Sequence, residues 1–131
     1  RFEPADFRLG IQWLVSQDRI DLALALADAG LSLYPKSEDV LAIAGLLAMT
    51  REDWPLSIEL LNELLEVQQD KAQPMTYHML ARAYCCNLDL AEARQVLARG
   101  LIVWPDDATL LSEQAGMAIA EHAMPTAALM S

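Results

Sequence analysis

Residues 74–105, PMTYHMLARAYCCNLDLAEARQVLARGLIVWP, hold two apolar-periodic segments around a short polar break, and this spacing leaves few folds open. In the first segment, residues 75–86, Tyr77, Leu80, Ala81 and Tyr84 recur at i, i+3, i+4 and i+7, one face of a helix. In the second, residues 91–103, Leu97 and Gly100 continue a face that begins at Leu90 and Ala93. A break as short as Asn87-Leu88-Asp89 forces the two helices to lie antiparallel. The small Ala81, Ala93 and Gly100 are where the two backbones can approach closely.

The same pattern recurs upstream. Asp53-Trp54-Pro55-Leu56-Ser57 and Arg19-Ile20-Asp21-Leu22-Ala23 take the place of Asp89-Leu90-Ala91-Glu92-Ala93, so the small anchors Ala23, Ser57 and Ala93 fall 34 and then 36 residues apart. Gly30, Leu31, Tyr34 and Pro35 superimpose on Gly100, Leu101, Trp104 and Pro105. An aromatic residue, Leu80-Ala81, Tyr84, Ala93, Leu97, Gly100 and Pro105 together resemble one tetratricopeptide repeat, a helix–turn–helix unit of 34 residues. Glycine at position 100 replaces the alanine usual in that family. The resemblance covers residues 4–105 and implies an all-α fold: a right-handed α-solenoid of about three repeats (4–36, 37–71 and 74–106) plus a C-terminal capping helix at 107–123, in a single domain spanning 1–131.

Charge narrows the partners. Nine basic against 19 acidic residues give a formal charge of −10, the wrong sign for neutralising phosphates or an anionic membrane. A basic or amphipathic protein segment is the natural complement. The longest apolar run, residues 40–49, is too short to cross a bilayer, and no basic-then-apolar signal opens the chain. Opening on Arg1 rather than Met, the sequence also reads as a piece of a longer chain. Cys85 and Cys86 are helix neighbours that point apart, a poor disulfide pair, which favours a reducing cytoplasm.

Along the chain, helix one is expected from Pro4 to Ser16 in one of two frames. Phe7 and Leu14 fit the repeat directly; Gly10 and Trp13 fit if the following turn holds one extra residue. Helix two, residues 20–33, is apolar almost all round and is expected to be buried between neighbours. Ser37 is the expected N-cap of helix three (38–50, with Leu41, Ala44, Gly45 and Ala48 in frame), and Asp53 that of helix four. Helix four carries a leucine stripe, Leu56, Leu60, Leu61, Leu64 and Leu65, opposite Glu59, Glu63 and Glu66. The connection at 68–73 is longer than its counterparts and has Gln69 where the repeat closes on proline, so an irregular step is expected there. Asp106 or Asp107 is expected to cap helix seven, and Pro125 to end it, leaving 124–131 as an unplaced apolar tail.

Chemistry is hard to find. His78 and His122 lie far apart, neither in a metal-ligand spacing with the cysteines, and there is no phosphate loop or nucleophile elbow. The expectation is a non-catalytic chain without cofactor or metal. In the family it resembles, five positions of each first helix line an inner groove. Carried over, these are Ala5, Arg8, Gln12, Val15 and Ser16; Asp39, Ala42, Leu46, Met49 and Thr50; Met75, His78, Arg82, Cys85 and Cys86; and Ala108, Leu111, Ala115, Ala118 and Ile119. The candidate partner-binding set is Ala42, Leu46, Met49, Met75, His78, Arg82, Cys85 and Leu111, mostly small or apolar. Family members that grip a C-terminal carboxylate carry Lys, Arg and Asn there, whereas this chain offers Arg8 and Arg82. The resemblance therefore implies a protein-binding module for an apolar helical or extended segment, similar to bacterial type III secretion chaperones or assembly factors. The competing expectation is a fragment or subunit of a larger scaffold, as a homodimer or hetero-complex.

Overall fold

Three turns set the architecture. In the computed structural model, which describes residues 2–130 and the side chains of 2–122, Asp18, Glu52 and Leu88 have φ of 58°, 59° and 65°. These left-handed residues are spaced 34 and 36 apart, like the small anchors. Each closes the preceding helix in one way: its own amide donates three residues back, and the next amide donates five residues back (Arg19 N to Leu14 O, 2.8 Å; Asp53 N to Ala48 O, 2.9 Å; Asp89 N to Tyr84 O, 2.8 Å). That double bond satisfies the last carbonyls and turns the chain sharply.

The helices so delimited are α1 (Pro4–Ser16), α2 (Ile20–Leu33), α3 (Glu38–Thr50), α4 (Trp54–Gln68), α5 (Pro74–Cys86), α6 (Leu90–Val103) and α7 (Ala108–Met130), with a 3-10 turn at Gln69–Lys71. No strand occurs among the described residues. The chain divides into two compact units, Arg1–Ala72 and Gln73–Ser131, where the sequence suggested one domain. The division falls in the connection expected to be irregular, and there Gln69 takes φ 52° and ψ −125°.

In the first unit α3 packs on α1, α2 and α4. Its buried residues, Val40, Leu41, Ile43, Ala44, Gly45, Leu47 and Ala48, leave few directions open to water. Ser37 Oγ accepts from Val40 N (3.3 Å) and Asp53 Oδ1 from Leu56 N (3.3 Å), so both expected caps are made. Of the leucine stripe on α4, Leu60, Leu61, Leu64 and Leu65 are buried, while Leu56 remains exposed. The expectation for α2 needs correction. Only Ala23, Ala27 and Gly30 are buried, and Leu22 and Leu33 face solvent. Alanine reads as apolar in a periodicity count, yet it stabilises an exposed helix by propensity alone.

The frame of α1 is also decided. Phe7 is buried and Trp13 is 61% exposed, and the first turn carries no extra residue. Phe7 lies where a Cβ on Gly30 would be 3.1 Å from its ring and 3.3 Å from Val40. The second unit repeats this contact 70 residues later, where a Cβ on Gly100 would meet Tyr77 at 2.9 Å and Leu110 at 3.1 Å. Glycine serves close approach at both positions, more strictly at 100, where the contact falls below 3.0 Å.

The second unit holds α5, α6 and α7, with α7 packed on both of the others. Asp107, rather than Asp106, caps α7, its Oδ2 accepting from Leu110 N at 3.0 Å. The helix runs through Pro125 to Met130, a correction to its expected end. Proline removes one amide donor there without ending the helix. The side chains of the 124–131 tail lie outside the described residues.

Candidate partner-binding faces

In the first unit, the first helix of each hairpin, α1 and α3, presents a common face. One end is polar: Arg8 Nε donates to Asp39 Oδ1 at 3.1 Å. The other end is an open apolar hollow of about 140 Å³, lined by Ile11, Gln12, Val15, Ile43, Leu46, Leu47 and Thr50. Leu46 is 47% exposed there, although its helix neighbours Gly45 and Leu47 are buried. The structure brings Leu46 together with Gln12 and Val15; Ala42 and Met49 are half-buried on α3 outside that hollow.

In the second unit, Met75 and His78 of α5 line a small depression with Pro74, Asp107 and Thr109. Glu113 of α7 is the electrostatic centre. Its Oε1 lies 3.3 Å from His78 Nδ1 and 3.8 Å from Arg82 Nη1. The histidine contact is close but not aligned as a hydrogen bond. Cys85 lines a second depression with Leu90, Ser112, Glu113, Gly116, Met117, Ala120 and Glu121. Burial first, then the negative charge of Glu113, raises the Cys85 thiol above its ordinary pKa, and Arg82 opposes this only in part. A thiol held protonated is a poor nucleophile, and both cysteines are free.

Leu111 is placed differently from the rest of the set. With Asp107 as N-cap and Leu110 against Gly100, α7 repeats α3 at an offset of 70 residues. Thr109, Ser112 and Gly116 then correspond to Asp39, Ala42 and Leu46, one residue further along than Ala108, Leu111 and Ala115. Leu111 corresponds to Leu41, and it lines neither depression. Either aspartate can cap a helix, so the sequence left the frame open by one residue, which is 100° around the axis. Glu113 falls at no groove position in either frame, so the family pattern held no signal for it.

Among the described residues no group of His, Cys, Asp or Glu could hold a metal ion, and no helix is long and apolar enough to cross a membrane. No family model matches the chain, and no curated protein matches it. Solved structures do. The first tetratricopeptide domain of Spaghetti (RPAP3), bound to an HSP90 peptide, aligns with a TM-score of 0.78 over 91% of this chain and 93% of its own, at 13% identity. MamA from Desulfovibrio magneticus aligns with a TM-score of 0.79 over 96% of this chain and 70% of its own, at 16% identity. The N-terminal domain of STI-1 from C. elegans gives 0.73 over 89% and 98%, at 14% identity. The fold is therefore an all-α helical repeat of the tetratricopeptide type.

Proposed function

We propose that this chain is a non-catalytic protein-binding module whose first-helix faces take an apolar helical or extended segment of a partner. The observation that carries the reading is Leu46, half exposed between the buried Gly45 and Leu47, beside Val15 at the hollow between α1 and α3. An apolar side chain left open in a concave, largely apolar site is suited to removing a partner's side chain from water. An acidic or free-carboxylate peptide fits poorly. Arg8 is already held by Asp39, and Arg82 lies beside Glu113, so the cations of these faces are offset by the chain's own carboxylates. In its finer form the reading is a cytoplasmic chaperone or assembly factor of the bacterial type III secretion kind, which shields an aggregation-prone segment until it is used.

Affinity capture with the chain as bait, in parallel with its Leu46→Asp variant, tests this. The partner retained by the parent chain is expected to bind the variant at least tenfold more weakly, because burying the exposed half of the leucine contributes about 1 kcal/mol, an aspartate there adds the cost of burying an unpaired charge, and a factor of ten is 1.4. The variant's melting temperature is expected to hold, since Leu46 is already half in water. A variant that unfolds, or that keeps its partner, sinks the proposal.

A further inference from the structure

The hollow between α1 and α3 has both a size and an electrostatic sign. Ile11, Ile43 and Leu47 are buried and make its floor, while Val15 and Leu46 are its exposed rim. About 140 Å³ is room for one benzene-sized group, so a leucine, isoleucine, methionine or phenylalanine side chain fits and an indole is too large. Two polar residues complete the lining, and they differ. The Thr50 hydroxyl donates to Leu46 O at 3.0 Å, whereas the exposed Gln12 carboxamide is unpaired among the described residues. One carboxamide carries a donor and an acceptor, the complement of a peptide group. A partner helix has already bonded its peptide groups internally, so Gln12 can serve only an extended backbone. The hollow also lies at the negative ends of two helices. Val15 and Thr50 belong to the last turns of α1 and α3, neither of which holds a basic residue. Just beyond stand Asp18 and Glu52, at one frame position and both exposed. Of the cations there, Arg19 lies 3.8 Å from Asp21, and Arg51 alone is unpaired among the described residues. Two carboxylates and two helix C-termini against one free guanidinium leave this end negative.

We infer that the hollow seats one leucine-sized side chain of an extended, basic partner segment, with Gln12 bonded to its backbone and a lysine or arginine two residues from the anchor over the Asp18 and Glu52 turns. The spacing follows from two geometries. Leu47, on the floor, precedes the C-cap Arg51 by four residues, about 6 Å along the helix axis. Two residues of extended chain advance about 7 Å and bring the next side chain of the same face to that end. This rests on the protein-binding reading of the same hollow, and it narrows the occupant from a helical or extended segment to the extended one. The chain's own last residues do not fit the description: α7 is helical to Met130, and residues 124–131 hold no cation.

The probe is the peptide acetyl-Lys-Thr-Leu-Thr-Lys-amide, with a lysine on each side so that both chain directions are served. It is titrated into the full chain labelled with carbon-13 at its methyl groups, and binding is read from the NMR shifts of Val15, Ile43 and Leu46. Saturable shifts are expected at millimolar peptide. Alanine in place of the peptide's leucine is expected to weaken binding at least tenfold, and tryptophan there several-fold. Glutamate in place of both lysines is expected to weaken it several-fold, with the gap closing as salt rises. Asp18→Asn together with Glu52→Gln in the chain is expected to shrink that gap. Gln12→Ala is expected to weaken binding several-fold. N-methylating the three central peptide residues in turn is expected to find one whose loss is not additive with Gln12→Ala, because both remove the same bond. An affinity indifferent to Gln12→Ala, or a charge gap that survives the Asp18 and Glu52 changes, overturns the inference while the protein-binding reading stands. Absence of saturable shifts overturns it as well, and that reading is then decided by capture with the Leu46→Asp variant. Shifts of the same methyls with chain concentration alone make the occupant a second copy and also overturn it.

Discussion

The two units are built on one frame and completed to different degrees. Phe7, Gly30 and Val40 in the first meet as Tyr77, Gly100 and Leu110 do in the second. The turns after Leu33 and Val103 also match: Tyr34 N donates to Gly30 O (2.8 Å), and Trp104 N to Gly100 O (2.7 Å). Beyond that turn the units diverge. In the first, α3 goes on to pair with α4; in the second, the described part of α7 has no such partner within its unit. Leu41 and Ala48 are thus core in α3, whereas Leu111 and Ala118, 70 residues on, are surface in α7. Burial in a repeat fold is a property of the neighbouring helix as much as of the residue.

The strongest way to break this comparison is to truncate the two leucines at one frame position. Leu41→Ala is expected to cost about 2–5 kcal/mol, the range for emptying a packed leucine site. Leu111→Ala is expected to stay within about 0.5 kcal/mol, as surface substitutions do. Equal losses in urea denaturation would show that Leu111 is covered in solution.

Overpacking at the paired glycines sharpens the comparison further. Gly100→Leu is expected to destabilise by about 1–3 kcal/mol. Gly30→Leu is expected to cost less. At position 100 an added Cβ meets the Tyr77 Cβ at 3.0 Å, an atom fixed to the backbone, whereas at position 30 its nearest neighbours are Phe7 ring atoms at 3.1 and 3.2 Å. The ring can tilt, while the Cβ moves only with its helix. Urea midpoints that reverse this order would mean that α1, not α5, is the more tightly held.

Much of the fold could be read from residues that act locally. The break at Asn87-Leu88-Asp89, the caps Ser37 and Asp53, and the phase of Ala23, Ser57 and Ala93 all depend on a few neighbouring atoms, and helix bounds follow from them. What failed needed knowledge of neighbours. The exposure of Leu22 and Leu33 follows from α2 packing chiefly on α1 and α3. The exposure of first-helix positions was legible where the frame was certain, at Leu46 and Met75. It was not legible on α7, where two adjacent aspartates compete for one cap and the choice turns every side chain by 100°. Trp13 posed the same question of register, which its exposure answers.

The smallest expected effect compares the regular turns with the irregular link. Leu88 is 84% exposed and sits at φ 65°, where a Cβ crowds the following carbonyl at a cost of about 1–2 kcal/mol. Leu88→Gly removes that crowding but adds about 0.5–1 kcal/mol of unfolded-chain entropy, so a gain of about 0.5 kcal/mol is expected. Gln69 is strained more. Its φ of 52° with ψ of −125° falls outside the ordinary left-handed well, in territory natural only to glycine. Gln69→Gly is therefore expected to stabilise by about 1 kcal/mol, twice the gain at Leu88, read as a rise in urea midpoint at unchanged slope. The order matters more than either value. If Leu88→Gly stabilises and Gln69→Gly does not, the link between the units relaxes at no cost in solution, and the strain belongs to the repeat turns alone.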